Sequence, residues 1–207
     1  MVKVKICGIT NLDDALDSIE AGCDTLGFVF YKKSPRYITP EKAARITREL
    51  PPSILKVGVF VNNREDNVRR IAKMCGLDML QFHGDESPEF CEKFSGYKVI
   101  KVFKVKDKIN LKEALDYDTF AYLFDTFSKS RVGGTGKKFN WTLIRHIDGF
   151  NKPIFLSGGL DADNVAEAIK QVRPDWVDVS SSVEAKRGKK DSAKVKKFIA
   201  AVRKVSL

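Results

Sequence analysis

Two side chains that could exchange protons with a substrate each stand at the end of a short apolar run. Cys7 closes the run Val2–Cys7, and Asp125 directly follows the run Ala121–Phe124. A thiolate can act as a base or a nucleophile, and a carboxyl group can act as a general acid. Each residue also has an ordinary interpretation, because a buried cysteine is often inert packing and an aspartate often caps the next turn. Taken alone, neither residue decides between catalysis and structure.

Two glycine- and serine-rich runs are suited to binding an anion. Ser157–Leu160 contains two glycines, whose missing side chains let the backbone approach an anion closely, and Asp178–Ser182 adds hydroxyl groups and amides. Each run by itself is equally typical of an ordinary turn or polar loop. In neighbouring loops the two runs together predict a phosphate site made of Gly158, Gly159, Ser181 and Ser182.

Three further polar side chains are candidates for contacting a substrate. Arg36 lies in the loop Ser34–Tyr37, where its guanidinium could hold a carboxylate with two hydrogen bonds, although a surface arginine is the plainer interpretation. Gln81 and His83 end another apolar run and offer an amide and an imidazole. All three are candidates for binding a substrate.

These residues follow a regular series of apolar runs, which we predict to be eight β-strands separated by helices. The predicted strands are Val2–Cys7, Thr25–Phe30, Leu55–Val61, Met79–Phe82, Lys98–Phe103, Ala121–Phe124, Pro153–Leu156 and Trp176–Val179. The 207 residues leave about 26 residues for each strand–helix unit, near the lower limit for a closed (β/α)₈ barrel. An open doubly wound sheet is the alternative, but no Gly-x-Gly-x-x-Gly follows the first strand. We therefore predict an α/β fold, a single-domain (β/α)₈ TIM barrel spanning residues 1–207.

A barrel would bring the candidate residues together, because active sites of this architecture lie at the C-terminal ends of the strands. Capping residues support the prediction of helices between the strands. Thr39 and Pro40 are typical of a helix start, and Gly22 and Gly76 are typical of helix ends. Further helices are expected between Ser87 and Phe94, Asn110 and Tyr117, and Asn140 and His146. The segment Thr126–Lys138 contains three glycines and is either a mobile lid or a plain connection.

Charge narrows the possible partners. Lysine and arginine number 37 against 27 acidic residues, for a net charge of +10, which raises the question of a nucleic-acid partner. Much of the excess follows Glu184, and we assign most of it to the solvated face of an amphipathic helix: Lys186, Arg187, Lys189, Lys190, Lys194, Lys196, Lys197, Arg203 and Lys204. No aromatic residues alternate with these lysines to stack bases, so we expect no nucleic-acid partner.

Other features exclude several classes of protein. The apolar runs fall far short of the roughly 18 residues of a membrane span, and the N-terminus lacks the apolar core of a signal peptide. We therefore expect a cytoplasmic protein with no membrane partner. The four cysteines are far apart and are expected to be free thiols, and the two histidines lack neighbours at ligand spacing, which predicts no metal site.

Eight short motifs, in the expected order, carry a resemblance to a known enzyme family. They are Lys5–Thr10, Gly27–Phe30, Ser34–Ile38, Gly58–Asn62, Gln81–Gly84, Gly133–Gly136, Leu156–Leu160 and Val177–Ser181. The series resembles the phosphoribosylanthranilate isomerase family of tryptophan biosynthesis. Eight motifs in register over most of the chain are hard to obtain by chance.

The resemblance implies a cofactor-free Amadori rearrangement of N-(5′-phosphoribosyl)anthranilate to 1-(2-carboxyphenylamino)-1-deoxyribulose 5-phosphate. By this resemblance, Asp125 is the general acid that protonates the furanose ring oxygen, and Cys7 is the general base that removes the C2 proton. Arg36 holds the anthranilate carboxylate, and the four phosphate-site residues hold the phosphorylated end of this small-molecule substrate. The sequence alone is compatible with a monomer or a homodimer.

The chain departs from the family pattern at two positions. Ser182 stands where the family usually has glycine, and it would be strained if the backbone there needs a positive φ; Asn140 stands where aspartate is usual. Competing interpretations are the related histidine-pathway isomerase, whose acid and base are both aspartates, and a ribulose-phosphate epimerase, whose metal-binding histidines are missing. A nucleic-acid-binding protein and a barrel that binds an anion without catalysis compete with the isomerase as well.

Overall fold

The computed structural model describes residues 1–105, 111–125, 141 and 151–205, and these residues build a closed parallel barrel. Each strand pairs with the next in parallel, and the last strand pairs with the first. The strands are β1 (Lys3–Cys7), β2 (Thr25–Val29), β3 (Leu55–Phe60), β4 (Met79–Phe82), β5 (Lys98–Lys104), β6 (Ala121–Asp125), β7 (Ile154–Ser157) and β8 (Trp176–Val179).

The strands are apolar for most of their length because both faces of a barrel sheet are covered. β2 and β8 are buried at every residue. Toward the N-terminal ends of the strands, the barrel interior is filled by stacked side chains, among them Phe155 and Trp176, whose ring centroids lie 4.8 Å apart. The barrel is therefore packed shut at that end, and polar residues collect at the other.

Helices alternate with the strands in the described part of the chain. They are α1 (Leu12–Glu20), α2 (Pro40–Arg48), α3 (Glu65–Cys75), α4 (Pro88–Glu92), α5 (Leu111–Leu115), α6 (Val165–Val172) and α7 (Ser192–Arg203). The Thr39 side chain caps α2 by accepting a hydrogen bond from the Lys42 amide, and Pro40 lies in the first turn. Gly76 ends α3 in the left-handed region, with φ +55°. None of these described helices combines the length and the apolar character that crossing a membrane requires.

The prediction of an α/β barrel is confirmed: β4 and β8 have the predicted bounds, and each of the other strands differs by one residue at one or both ends. β5, β6 and β7 extend further than predicted, because the polar residues Lys104, Asp125 and Ser157 still pair within the sheet. α4 and α5 are shorter than the helices predicted there. The glycine-containing segment Thr126–Lys138 lies outside the described residues, as does the helix expected over 140–146 apart from Trp141.

The chain after β8 is more structured than its basic composition predicts. A 3₁₀ turn at Ser181–Val183 leads into a short hairpin of β9 (Glu184–Lys186) and β10 (Lys189–Lys190), and α7 follows. The apolar stripe of α7 is buried as expected, through Val195, Phe198, Ile199 and Val202. Assigning Lys190 to a solvated face is wrong, because the hairpin turns its side chain into the protein and leaves the residue 4% exposed.

Candidate active site

A cavity of about 530 Å³ opens at the C-terminal ends of the barrel strands. All eight strands or the loops that follow them contribute residues to its wall. The cavity brings together every site residue that the sequence predicts, from positions spread over most of the chain: Cys7, Arg36, Gln81, His83, Asp125, Gly158, Gly159, Ser181 and Ser182. The barrel closure therefore unites them in one site, and their individual contacts show what each can do.

Cys7 lies above a buried ion pair inside the barrel. The register of β1 and β8 pairs Lys5 with Asp178, and the Lys5 Nζ lies 2.8 Å from Asp178 Oδ1 with none of the lysine exposed. Burial raises the pKa of the Cys7 thiol, while the Lys5 ammonium acts in the opposite direction. Burial by itself lowers the pKa of Lys5, but Asp178 and Cys7 outweigh it and leave that pKa raised. Lys5 therefore stays charged beneath the sulfur.

A second buried lysine fixes the backbone of Cys7. Lys190 Nζ donates to the carbonyl oxygen of Cys7 at 2.6 Å and to that of Ser180 at 3.1 Å, and it lies 3.3 Å from Glu184 Oε1. Burial lowers the pKa of Lys190, and the nearby Glu184 carboxylate opposes that change. The hydroxyl of Ser180 also donates to the Cys7 carbonyl, at 3.0 Å. These contacts join the ends of β1 and β8 at the cavity floor.

Arg36 is held by a carboxylate of the protein itself. Its Nε donates to Glu184 Oε1 at 2.6 Å and a terminal nitrogen donates to Oε2 at 2.7 Å, which is the paired geometry characteristic of arginine and carboxylate. Its stem passes over Gly8, where a Cβ would lie 2.5 Å from Arg36 Cδ and where φ is +82°. A side chain at position 8 would therefore displace the arginine from the cavity wall.

The opposite wall carries Asp125 beside an imidazole and a carboxamide. His83 Nε2 lies 3.4 Å from Asp125 Oδ2, and the side-chain nitrogen of Gln81 lies 3.3 Å from His83 Nδ1. The buried Gln81 Oε1 has no hydrogen-bond partner among the described residues, so it offers an acceptor to a ligand.

The buried carboxylate of Glu86 holds the turn that follows His83. Glu86 accepts hydrogen bonds from the amides of Asn62 at 2.7 Å and Gly84 at 2.9 Å, and it pairs with Lys101 Nζ at 3.1 Å. Both Glu86 and Lys101 are buried. A buried carboxylate with this many donors is fully compensated, so it fixes the loop that presents His83 to the cavity.

The loops after β7 and β8 form the polar corner predicted to bind phosphate. Gly158 and Gly159 have φ of +88° and +69°, which side-chain-bearing residues rarely adopt. Ser182 is different, because the only described non-glycine residues with positive φ are Asn62 and Arg173. The strain considered for Ser182 therefore does not arise. Its hydroxyl instead donates to the carbonyl oxygen of Leu160 and ties the two loops together.

Comparison with known proteins identifies one family. The family model for N-(5′-phosphoribosyl)anthranilate isomerase matches residues 4–201. The chain belongs to this family. It is 52% identical to the isomerase of Citrifermentans bemidjiense over 207 residues, covering all of both chains. It is 50% identical to the isomerase of Thermotoga neapolitana over 200 residues, which cover 96% of this chain and 97% of the relative.

Solved structures of the isomerase family share the fold. The crystal structure of the Thermotoga maritima enzyme superimposes with a TM-score of 0.91 at 48% identity, over 98% of this chain and 99% of that one. A phosphoribosyl anthranilate isomerase in complex with reduced 1-(o-carboxyphenylamino)-1-deoxyribulose 5-phosphate gives a TM-score of 0.89 at 47% identity, with the same coverage.

Sequence reasoning misses three charged residues that surround Cys7 in this isomerase fold: Lys5, Glu184 and Lys190. Lys5 has a signal in the sequence, because it interrupts an apolar strand between Val4 and Ile6 and shares the face of Cys7 by strand alternation. A lysine in a fully buried strand needs a buried partner. Glu184 and Lys190 have no such signal, since they lie in a segment rich in exposed charge.

Proposed function

We propose that this chain converts N-(5′-phosphoribosyl)anthranilate into 1-(2-carboxyphenylamino)-1-deoxyribulose 5-phosphate, with Asp125 as the acid and Cys7 as the base. One observation carries the assignment of roles. The carboxyl group and the thiol stand on different strands of the barrel and line one cavity of about 530 Å³, beside glycine-rich loops suited to an anion. Separate walls let the two groups act on different atoms of one substrate without neutralising each other.

The first step opens the sugar ring. Asp125 gives its proton to the furanose ring oxygen, the bond between C1 and that oxygen breaks, and the lone pair of the anthranilate nitrogen forms a protonated Schiff base with C1. The Cys7 thiolate then takes the proton from C2, whose electrons form the C1–C2 double bond while the C=N electrons return to nitrogen. The resulting enolamine tautomerises to the ketone. Every electron pair stays within the substrate, so the rearrangement needs no cofactor.

The charged groups of the cavity suit the two ends of this substrate. Glu184 engages Nε and one terminal nitrogen of Arg36, and the other terminal nitrogen can meet the anthranilate carboxylate. The backbone of Gly158, Gly159, Ser181 and Ser182 would take the phosphate. Gln81 Oε1, the buried acceptor, would accept from a ribose hydroxyl, and His83 would contact the same region.

The activity is tested with the purified chain. Anthranilate fluorescence or product absorbance should report conversion of the phosphoribosyl substrate without added metal or cofactor. Because burial raises the pKa of the Cys7 thiol, the rate should increase with pH as the thiol ionises. No conversion above the enzyme-free rate, in a sample shown to be folded by circular dichroism, would reject the proposed function.

The partner we propose is this small phosphorylated molecule, in the cytoplasm, and not a nucleic acid or a membrane. Light scattering should give a monomer or a homodimer. A titration with DNA at several salt concentrations tests the alternative of a nucleic-acid-binding protein. Binding to a phosphate backbone weakens steeply as the salt concentration increases. Tight salt-dependent DNA binding would contradict the assignment of partners.

A further inference from the structure

Cys7, the proposed base, has to form a thiolate in a buried position, where a negative charge is unfavourable. Cys7 is 8% exposed, and burial raises the pKa of its thiol, yet the sulfur must lose a proton before it can accept one from the substrate. A general base with an ordinary free thiol pKa of about 8.5 already needs assistance near neutral pH. Some group in the barrel must therefore oppose the effect of burial.

Lys5 is placed to supply that charge. It precedes Cys7 by two residues on β1, so strand alternation directs both side chains to the barrel interior. A Cβ placed on Gly27 of the neighbouring strand would lie 2.8 Å from Cys7 Sγ and 3.2 Å from Lys5 Nζ. The sulfur and the ammonium nitrogen thus border the same small space, which exists because position 27 has no side chain.

Three charged side chains from other elements also act on Cys7. Asp178 on β8 is paired with Lys5 and opposes ionisation of the thiol. Lys190 on β10 contacts the backbone carbonyl of Cys7, and Arg36 is paired with the Glu184 carboxylate. Lys190 also favours the thiolate, but Lys5 opposes the effect of burial most strongly, and of these groups it alone lies on the strand of Cys7.

We propose that Lys5 is a positioning residue for the isomerase reaction: its buried ammonium allows Cys7 to ionise inside the barrel, and Asp178 limits that effect while keeping Lys5 in place. Lys5 does not take the substrate proton. It acts through the sulfur, by stabilising the thiolate before the C2 proton is removed. This inference rests on the proposed role of Cys7 as the base.

Alkylation of Cys7 tests the proposal without relying on activity. Iodoacetamide reacts with the thiolate, so the rate at which the Cys7 peptide gains mass between pH 6 and 10 reports the thiol pKa. Lys5→Met should shift this profile upward by at least about one pH unit, which is about tenfold slower alkylation at a fixed pH below the pKa. Asp178→Asn should shift the profile downward.

Lys3→Met is the matched control. Lys3 lies on the same strand and the same face, but it is exposed and its Nζ sits over the Trp176 ring at 4.9 Å, at the closed end of the barrel. The Lys3→Met substitution removes one positive charge from the same strand but changes no residue of the cavity. The alkylation profile of Cys7 in this variant should therefore match that of the parent. The double variant Lys5→Met with Asp178→Asn should stay above the parent profile, which separates loss of the cation from the unpairing of Asp178.

Kinetics give a second readout. In Lys5→Met we expect kcat to fall about tenfold or more at neutral pH and to recover as pH increases, while KM changes little. A purely structural defect would not recover at high pH. If Lys5→Met does not fold, the proposal is tested with Asp178→Asn alone. Alkylation of Cys7 in Asp178→Asn at a rate equal to or slower than in the parent would overturn the proposal.

Failure of this proposal differs from failure of the proposed function. A folded Lys5→Met protein whose alkylation profile overlays the parent profile would remove Lys5 from the mechanism and leave Cys7 as the base. An active Cys7→Ser variant would instead remove the base itself, whatever the profile of Lys5→Met shows.

Discussion

The two walls of the cavity support their reactive groups in different ways. Around Cys7, the supporting groups are buried ionisable side chains, with Lys5 and Asp178 paired at 2.8 Å. On the other wall, the imidazole of His83 lies 3.4 Å from the Asp125 carboxyl group, and the Gln81 amide lies 3.3 Å from the far side of that imidazole. The side chains of His83 and Asp125 are 28% and 19% exposed, whereas Lys5 is completely buried.

The proposed roles of Cys7 and Asp125 place different demands on their surroundings. A thiol is neutral until it loses its proton, and a buried thiol resists that change, so a buried cation next to Cys7 helps the base despite the cost of desolvating the cation. Asp125, the proposed acid, instead has an imidazole nitrogen 3.4 Å from its carboxyl group, and both side chains are partly exposed to solvent. The two walls therefore differ in burial, since the ion pair beside Cys7 is buried and the His83–Asp125 contact is partly exposed.

Replacing the base should have the largest effect. Cys7→Ser keeps the shape of the side chain but replaces a thiol with a far weaker acid, so we expect kcat to fall by about 10⁴-fold, the upper end for acid–base groups. Steady-state kinetics of the parent and of Cys7→Ser measures this decrease in kcat. Cys75→Ser is the control, since that buried sulfur donates to the Pro40 carbonyl at 3.4 Å and a hydroxyl can do the same. Activity of Cys7→Ser within tenfold of the parent would show Cys7 to be packing.

Replacing the acid should cost somewhat less. Asp125→Asn preserves the contact with His83 but cannot donate the proton, and we expect kcat to fall about 10²- to 10³-fold with KM nearly unchanged. Asp118→Asn, at an exposed carboxyl paired with Lys152, should leave both constants unchanged. Near-normal turnover of Asp125→Asn would transfer the acid role to another group on this wall, with His83 the first candidate.

A third substitution separates binding from proton transfer. Arg36→Met keeps much of the apolar stem but removes the guanidinium, so KM should increase about 10- to 100-fold and exceed the loss in kcat. Arg69→Met is the comparison, because Arg69 is exposed and pairs with Glu65 on the outside of the barrel. An unchanged KM in Arg36→Met would mean that Glu184 is the sole partner of this arginine during turnover.

The smallest effect is expected at the phosphate corner. Ser182 adopts no positive φ, so glycine there relieves no strain, and the backbone amide is retained in either residue. Ser182→Gly loses only the hydrogen bond to Leu160, and inhibition by inorganic phosphate should change by less than about threefold. Clearly tighter inhibition by the glycine variant would show that the serine holds the loop away from its best anion-binding shape.

Much of the fold follows from local patterns. The alternation of apolar runs with helical stripes predicts the eight strands in order, and the caps at Thr39 and Gly76 form where the residue types require them. The nine predicted site residues line one cavity because residues that follow parallel strands meet at one end of a barrel. Their chemical roles remain predictions, since position in a cavity does not reveal which group moves a proton.

The environment of Cys7 depends on contacts between distant parts of the chain. Lys5 and Asp178 are 173 residues apart, and Lys190 lies 183 residues from the Cys7 carbonyl that it contacts. Strand periodicity tells which face Lys5 occupies, but the pairing of β1 with β8 depends on closure of the whole barrel, which no local run encodes. Lys190 belongs to a basic segment whose composition predicts solvent exposure, and only the hairpin of β9 and β10 turns it inward. Local sequence thus decides which residues reach the cavity, whereas barrel closure decides which charges surround the sulfur, because electrostatic contacts depend on distance in space and not on separation along the chain.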